Sequence, residues 1–161
     1  MDIEIRPVTD QDRAWVLEVF QGWGADFVIS RGRKMYPANL EGFIARDESG
    51  FKVGLVTYEI DGEQCEIVTL DAYRKFQGIG TALIEAVKLA VREMVVNRLW
   101  LITTNDNVDA MRFYQKRGFT IAAVHSNTMD EWRKLKPSIP KIGAYGIPIR
   151  DEVEFEMLLG E

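Results

Sequence analysis

Two glycines one residue apart, Gly78 and Gly80, separate an apolar run ending at Leu70 from an amphipathic stretch beginning at Ile79. A helix start leaves backbone N–H groups without intrahelical acceptors, and the macrodipole adds about half a positive charge there. Glycines at such a place remove Cβ atoms that would hold an anion away and permit φ values that aim successive amides at one point. Strand, glycine turn and helix therefore describe a phosphate cradle with amides from Gln77, Gly78, Ile79, Gly80 and Thr81. A tight turn that binds nothing is the rival reading, and the G-x-G alone weighs the two evenly. Two nucleotide motifs fail in detail: Leu83 stands where the dinucleotide fingerprint needs a third small residue, and no Gly-Lys-Ser/Thr follows as in a P-loop.

Composition narrows the chemistry further. At 161 residues and 47% hydrophobic, the chain reads as one domain, 1–161, with a substantial core. Twenty Lys and Arg against 25 Asp and Glu leave a net charge of −5, which argues against bulk attraction to nucleic acid or an anionic membrane. No apolar run approaches the roughly 18 residues of a membrane span, and the start lacks the layout of a secretory signal, so a cytoplasmic location is expected. Cys65 and His125 are the only residues of their kinds, which disfavours a metal site and a Cys–His or Ser–His nucleophile. Cys65 sits in an apolar strand pattern, where a thiol is buried and inert. His125, alone at a strand end, reads as structural, with contact to substrate as the rival role.

The elements that must position the glycines follow from periodicity. Ile3 and Ile5 alternate with charged residues as a short strand, and Thr9 with Asp12 approximates a capping box before a helix carrying Ala14, Leu17, Phe20 and Trp23. Residues 26–39, with Gly32 and Pro37, read as a broken helix or loop bearing Arg31, Arg33, Lys34 and Tyr36. Strands around Phe43 to Arg46, Phe51 to Ile60 and Gln64 to Leu70 form an antiparallel meander, the last turn centred on Asp61-Gly62. A helix from Ile79 to Met94, a strand from Arg98 to Thr104, a short helix ending at Gly118, a strand over Phe119 to Ala123 and a last strand with Val153, Phe155 and Met157 complete a mixed α/β fold. The connection between the last two strands, 126–150, is a long insert: Met129, Trp132 and Leu135 mark a short helix ended by Pro137, and a Pro/Gly loop follows.

The run Lys75, Phe76, Gln77, Gly78, Ile79, Gly80 resembles the Q/R-x-x-G-x-G/A signature of the GNAT superfamily of N-acetyltransferases. It departs from the pattern at Lys75, where a backbone cradle needs no particular side chain. A second patch, Asn107, Ala110, Tyr114, Gly118 and Phe119, is similar to the family at the same spacing, and the element order matches over nearly the whole length. The resemblance implies a mostly antiparallel sheet of about seven strands, flanked by helices and splayed between strands four and five, the wedge opening here between Ile67 to Ala72 and Leu101 to Asn105.

It implies acetyl-coenzyme A as cosubstrate, its pyrophosphate on the amides around Lys75 to Thr81 and its pantetheine arm in the splay beside Asn107 and Asn105. Helix capping is the competing role for both asparagines. The Leu70 amide would face the thioester carbonyl, and Tyr114 would be the general acid for the departing thiolate. A core tyrosine packed beside Phe113 is the rival for Tyr114.

An acceptor amine with a pKa near ~10 costs roughly 4 kcal/mol to deprotonate at pH 7, so a base is wanted. Glu66 is the first candidate, expected to share a strand face with Val68 and Leu70, with Glu59 and Asp71 in reserve; a solvated strand residue is the rival reading of Glu66. Direct transfer in a ternary complex is expected, because Cys65 alternates to the face opposite Glu66. The acceptor, a small-molecule or peptide amine, would lie between residues 23–36 and the insert, which acts as a lid or as a homodimer contact. Arg31, Arg33, Arg133, Lys134 and Lys136 lie in these flanks, so an acceptor with a carboxylate or phosphate is conceivable, as is an ordinary solvated surface. A non-enzymatic acyl-coenzyme A sensor with the same fold and transfer of a longer acyl chain are the alternative functions.

Overall fold

Strict alternation along the strands decides which side chains face the core. Leu99 and Leu101 on one strand, and Val153 and Phe155 on its neighbour, are buried while the residues between them are not, apart from Thr103 and Glu152 at one end. The computed structural model describes residues 2–22, 24–74 and 78–160. Its strands are β1 (Glu4–Pro7), β2 (Val28–Ser30), β3 (Arg33–Met35), β4 (Glu41–Arg46), β5 (Lys52–Asp61), β6 (Gln64–Ala72), β7 (Arg98–Thr104), β8 (Thr120–His125) and β9 (Glu152–Leu158). Its helices are α1 (Arg13–Gln21), α2 (Ile79–Val91), α3 (Val108–Lys116) and α4 (Met129–Leu135). Among the described residues no helix is long and apolar enough to cross a membrane.

Seven strands form one mixed sheet in the order β1-β4-β5-β6-β7-β9-β8, and β6–β7 is its one parallel pairing. A parallel pair needs a crossover, which α2 supplies. On the α2 face Val56, Ile67, Leu83, Val87, Leu99, Leu101 and Phe155 make the larger core cluster; on the α1 face Val8, Val16, Phe20, Ile44 and Leu55 make the smaller.

Two local expectations are corrected. Residues 28–35 form the β2–β3 hairpin rather than a broken helix or loop. Its turn, Arg31-Gly32, has φ of 48° and 82°, the left-handed pair that a two-residue hairpin turn needs. Arginine there is held from far away in the chain, by Glu152, which accepts from the Arg31 guanidinium at 2.8 Å. In the β5–β6 hairpin Asp61 pairs with Gln64, so Gly62 and Glu63 are the central residues, and only Gly62 has positive φ. Glycine in the first central position suits the alternative two-residue turn.

The insert contains the expected short helix, α4. The rest is pinned to the end of β7 by two side chains. Asn105 donates to the Pro148 carbonyl (2.9 Å) and accepts from the amides of Arg150 and Asp151 (2.9 and 3.0 Å). Asp106, buried, accepts from the Ala144 amide at 3.0 Å, and a Cβ on Gly143 would stand 2.0 Å from its Oδ2.

Candidate active site

The site begins where β6 and β7 part. Their parallel register runs Gln64 with Arg98, Cys65 with Leu99 and Glu66 with Trp100, and stops there, although β6 continues to Ala72 and β7 to Thr104. Beyond Glu66 the two strands splay and leave a wedge. On its other edge β6 stays paired with β5, and the Tyr73 amide donates to Val53 O at 2.8 Å. In an antiparallel ladder hydrogen-bonded positions alternate, so Leu55 with Asp71 is the next such pair and Val56 with Leu70 is not one. The Leu70 N–H therefore points away from β5 and into the wedge.

A β-bulge sets the side chains around that amide. Thr57 pairs with Thr69 but Tyr58 pairs with Ile67, which leaves Val68 as an extra residue on β6. Cross-strand partners share a face, so Glu66, Thr69 and Asp71 lie with Glu59, Thr57 and Leu55 on the α1 side. Leu70 packs on the α2 side with Val56. Glu66 therefore does not share a face with Val68 and Leu70, as simple alternation predicts; the inserted residue reverses the phase.

Thr69, Leu70 and Asp71 line a cavity of about 180 Å³ together with Phe20 of α1, Ala25, Val28 of β2 and Lys136 after α4. Burial pushes the Asp71 carboxyl up to about 6. Among the described residues its side chain has no hydrogen bond and no ion pair within 4.0 Å. Glu66, 4% exposed, is in a different situation. It lies at the last paired position below the wedge and accepts a hydrogen bond from Ser30 of β2. Burial raises its pKa, against the opposing pull of the Ser30 hydrogen bond and Arg33. Five residues of strand separate it from Asp71, roughly 13–16 Å allowing for the bulge. Glu59 is committed to Arg33 at 2.9 Å.

Across the wedge, Tyr114 of α3 packs its ring among Phe113, Phe119 and Phe155, with centroids 5.6, 5.8 and 5.8 Å away. Burial, with the charge of Asp71 adding to it, pushes the phenol up to about 12. Its hydroxyl has no hydrogen-bond partner among the described residues. Asn107 precedes α3; its Nδ2 donates to Thr103 Oγ1 at 3.1 Å and no hydrogen bond occupies its Oδ1. Asn105, by contrast, spends its oxygen and one amide hydrogen on the insert, so this side chain fixes the loop.

The glycine turn stands at the N-terminus of α2, and its two glycines have different reasons. Gly78 is the cap residue with φ 72°, and a Cβ there would meet open space, so the backbone conformation and not crowding requires glycine. Gly80 is buried inside the helix, where a Cβ would stand 2.9 Å from Cζ of Phe113. Close packing of α2 on α3 explains Gly80, in place of room for an anion. Lys75, Phe76 and Gln77 lie outside the described residues. The amides of Ile79, Gly80 and Thr81 belong to the first turn of α2.

The Acetyltransferase (GNAT) domain family model matches residues 38–121, which run from before β4 into β8 and contain the glycine turn, the wedge strands and Tyr114. The chain belongs to the GNAT acetyltransferase family. It is an acyltransferase of that family, with a mostly antiparallel seven-stranded sheet and flanking helices. The uncharacterized protein YdhI of Bacillus subtilis (strain 168) is 48% identical over 120 residues, covering 74% of this chain and 75% of YdhI. The IAA acetyltransferase from Bacillus cereus ATCC 14579 shares the fold, with a TM-score of 0.74, 18% identity and coverage of 98% of this chain and 100% of that one. A GNAT family acetyltransferase from Elizabethkingia anophelis with acetyl-CoA bound superposes with a TM-score of 0.68 at 23% identity, over 98% of each chain.

Two features of this GNAT chain escape sequence reading. Arg117 donates to Thr81 Oγ1 at 2.9 Å, with its guanidinium 4.1 Å from the Phe113 ring, so a cation with no carboxylate partner among the described residues sits beside the first turn of α2. Its place two residues before Phe119 in the second family patch was the available signal. The other is Glu152, 2% exposed, whose Oε1 accepts from both Arg31 and Trp132 Nε1 (2.8 and 2.9 Å). It ties the β2–β3 turn and α4, and so both outer walls of the cavity, to the sheet. Nothing in the local pattern "RDEVEFEML" marks it. His125 meets Glu154 at 3.0 Å, in keeping with a structural role.

Proposed function

We propose that this protein is an acetyl-coenzyme A-dependent N-acetyltransferase, a single catalytic domain that moves the acetyl group directly to an acceptor amine within a ternary complex. The observation that carries the reading is the Leu70 amide, an unpaired main-chain donor turned into the gap left by the parting of β6 and β7. The residues present fit the cosubstrate. The Leu70 N–H and the edges of β6 and β7 offer hydrogen bonds to an extended amide-bearing arm, with Asn107 Oδ1 available to it as well. Open space at Gly78, the first amides of α2 and the Arg117 guanidinium suit its phosphates. The signature residues Lys75, Phe76 and Gln77 belong to the same proposed cradle. Acetyl-coenzyme A supplies the activated acyl thioester.

The chain's own groups divide the remaining work. Leu70 N–H meets the negative charge that develops on the thioester oxygen as the amine attacks. Asp71, beside it and facing the cavity, takes the proton the amine must lose. We assign this base role to Asp71 rather than Glu66, since Glu66 lies below the wedge and is held by Ser30. With a pKa near 6, Asp71 is ionised at pH 7 and a better proton acceptor than an ordinary carboxylate. Tyr114, held protonated by its apolar cage, donates to the departing sulfur and returns a proton to it. Cys65 takes no part: burial pushes its thiol up to about 12, on the face opposite Glu66.

Two measurements test the reading. Calorimetry should detect acetyl-coenzyme A binding to the intact protein. Tyr114→Phe should then lower turnover about 10²–10⁴-fold, the usual worth of a general acid, while leaving that affinity within a few-fold. Absence of binding, or indifference of turnover to the substitution, would remove the proposal.

A further inference from the structure

The cavity beside Leu70 holds two opposite charges that the protein leaves unmatched. Asp71 enters it from β6 and Lys136 from the residue after α4. Among the described residues neither side chain has a hydrogen bond or an ion pair within 4.0 Å, with each other or with anything else. Their surroundings make this unusual. The arginines nearby are committed: Arg31 to Glu152, Arg33 to Glu59, and Arg133 to Asp130 and to the carbonyls of Pro140 and Ile149, while Lys34 stands over the Phe27 ring that Lys136 also meets, 4.8 Å from its centroid. The Thr69 hydroxyl is committed to Thr57 at 2.6 Å. Burial lowers the Lys136 ammonium and raises the Asp71 carboxyl, so both groups give up hydration without gaining an oppositely charged partner; Lys136 Nζ stands over the Phe27 ring, 5.7 Å from its centroid. Uncompensated charges of this kind are retained where a ligand supplies the compensation.

The rest of the lining is apolar: Phe20, Ala25, Val28 and Leu70. The volume, about 180 Å³, lies well below the roughly 300–1,000 Å³ of pockets that take drug-sized ligands. A ligand that fits is therefore compact, apolar over part of its surface, and charged with both signs.

We propose that the acceptor is a free α-amino acid with a compact aliphatic side chain. This rests on the acetyltransfer reading, because that reading puts the reacting carbonyl at the Leu70 amide. The amine lies against Asp71, next to that amide; the α-carboxylate lies on Lys136; the side chain lies on Phe20, Ala25 and Val28. A phosphate fits less well. It is recognised by arginine forks or several cations, whereas one ammonium faces this cavity and Asp71 would repel a dianion. A peptide N-terminus brings the amine but no carboxylate at the required distance, and would leave Lys136 unmatched.

The test uses the full chain saturated with acetyl-coenzyme A and matched probes: leucine, leucine amide and 3-methylbutylamine, with valine and isobutylamine as a second pair. Calorimetry reads binding, and thiol release with mass detection of the acetylated product reads transfer. The expected result is a kcat/KM for the amino acid about ten- to a hundredfold above its decarboxylated amine, the worth of one charge-assisted hydrogen bond. Lys136→Met should collapse that ratio to within about twofold through KM, and Lys136→Arg should restore part of it. Equal or faster transfer to the decarboxylated amines, no binding of either amino acid, or a ratio untouched by Lys136→Met would each overturn the assignment. Transfer to other amines alone defeats this inference and leaves the enzyme; failure to bind acetyl-coenzyme A defeats both.

Discussion

Replacing Asp71 by Asn should make the protein more stable at neutral pH and nearly inactive. Burial raises the folded-state carboxyl from its ordinary value near 3.8 to about 6. A raised carboxyl contributes its stability in the protonated form, which is fully present below the unfolded pKa and is lost as pH climbs through the folded one. A shift of about two units corresponds to about 3 kcal/mol lost between pH 4 and pH 7. Asn carries no charge to desolvate, so the variant should escape that loss, less the smaller cost of burying an amide; a net gain of about 1–3 kcal/mol at pH 7.5 is expected, shrinking to nothing near pH 4. Urea denaturation of both proteins at half-unit pH steps isolates the effect, because other groups titrate alike in each and cancel in the difference. The same substitution should remove the ascending limb near pH 6 from the kcat/KM profile and lower kcat/KM about 10²–10⁴-fold. A pH-independent difference curve, or a variant less stable at pH 7.5 with unaltered catalysis, would refute the placement of this carboxyl and its role together.

The other expectations are briefer. Glu66→Gln keeps the volume and can still accept from Ser30, so steady-state turnover should stay within about threefold; a hundredfold loss would return the base role to Glu66. Gly80→Ala should destabilise by about 1–2 kcal/mol in denaturant titrations, overpacking against Phe113 outweighing the helix propensity that alanine adds, and Phe113→Leu in the same chain should recover most of it. Arg117→Ala should weaken acetyl-coenzyme A binding about tenfold at low salt and by less at high salt, as read by calorimetry at two ionic strengths, if the guanidinium meets a phosphate.

How much of this was legible depends on how far each determinant lies along the chain. The strand Arg98–Thr104, the strand Glu152–Leu158 and the helix Ile79–Val91 could be read because apolar side chains repeat at the period of the element itself. The β2–β3 hairpin could not. Its turn puts an arginine at φ 48°, a conformation arginine has no local reason to adopt. What holds it is Glu152, 121 residues on, and the Trp132 ring, against which a Cβ at Gly32 would stand at 2.8 Å. Asn105 depends on distant partners in the same way. Asn beside a helix start suggests capping or a ligand, whereas its partners at 148–151 are set only when the insert folds back.

The bulge at Val68 matters most, because a single extra residue decides what the strand can do. With unbroken alternation Glu66, Val68 and Leu70 would share one face, while Cys65, Ile67, Thr69 and Asp71 would share the other. Cys65 and Ile67 are packed under α2, so Asp71 would be driven into that apolar core. The inserted residue reverses the phase after Ile67. Leu70 then fills the α2 core with its side chain while Asp71 turns to the α1 face and its cavity. At the same time the ladder to β5 leaves the Leu70 N–H facing the wedge. One irregularity thus brings a core anchor, an oxyanion donor and a carboxylate into two consecutive residues. No residue type in "CEIVTLDA" demands it, since Val68 suits a regular strand as well as a bulge. Taking Val68 into the ladder as a regular strand residue would turn Asp71 under α2 and carry the proposed site away, whereas deleting Val68 would straighten the strand and leave Leu70 and Asp71 opposite Val56 and Leu55 on their present faces.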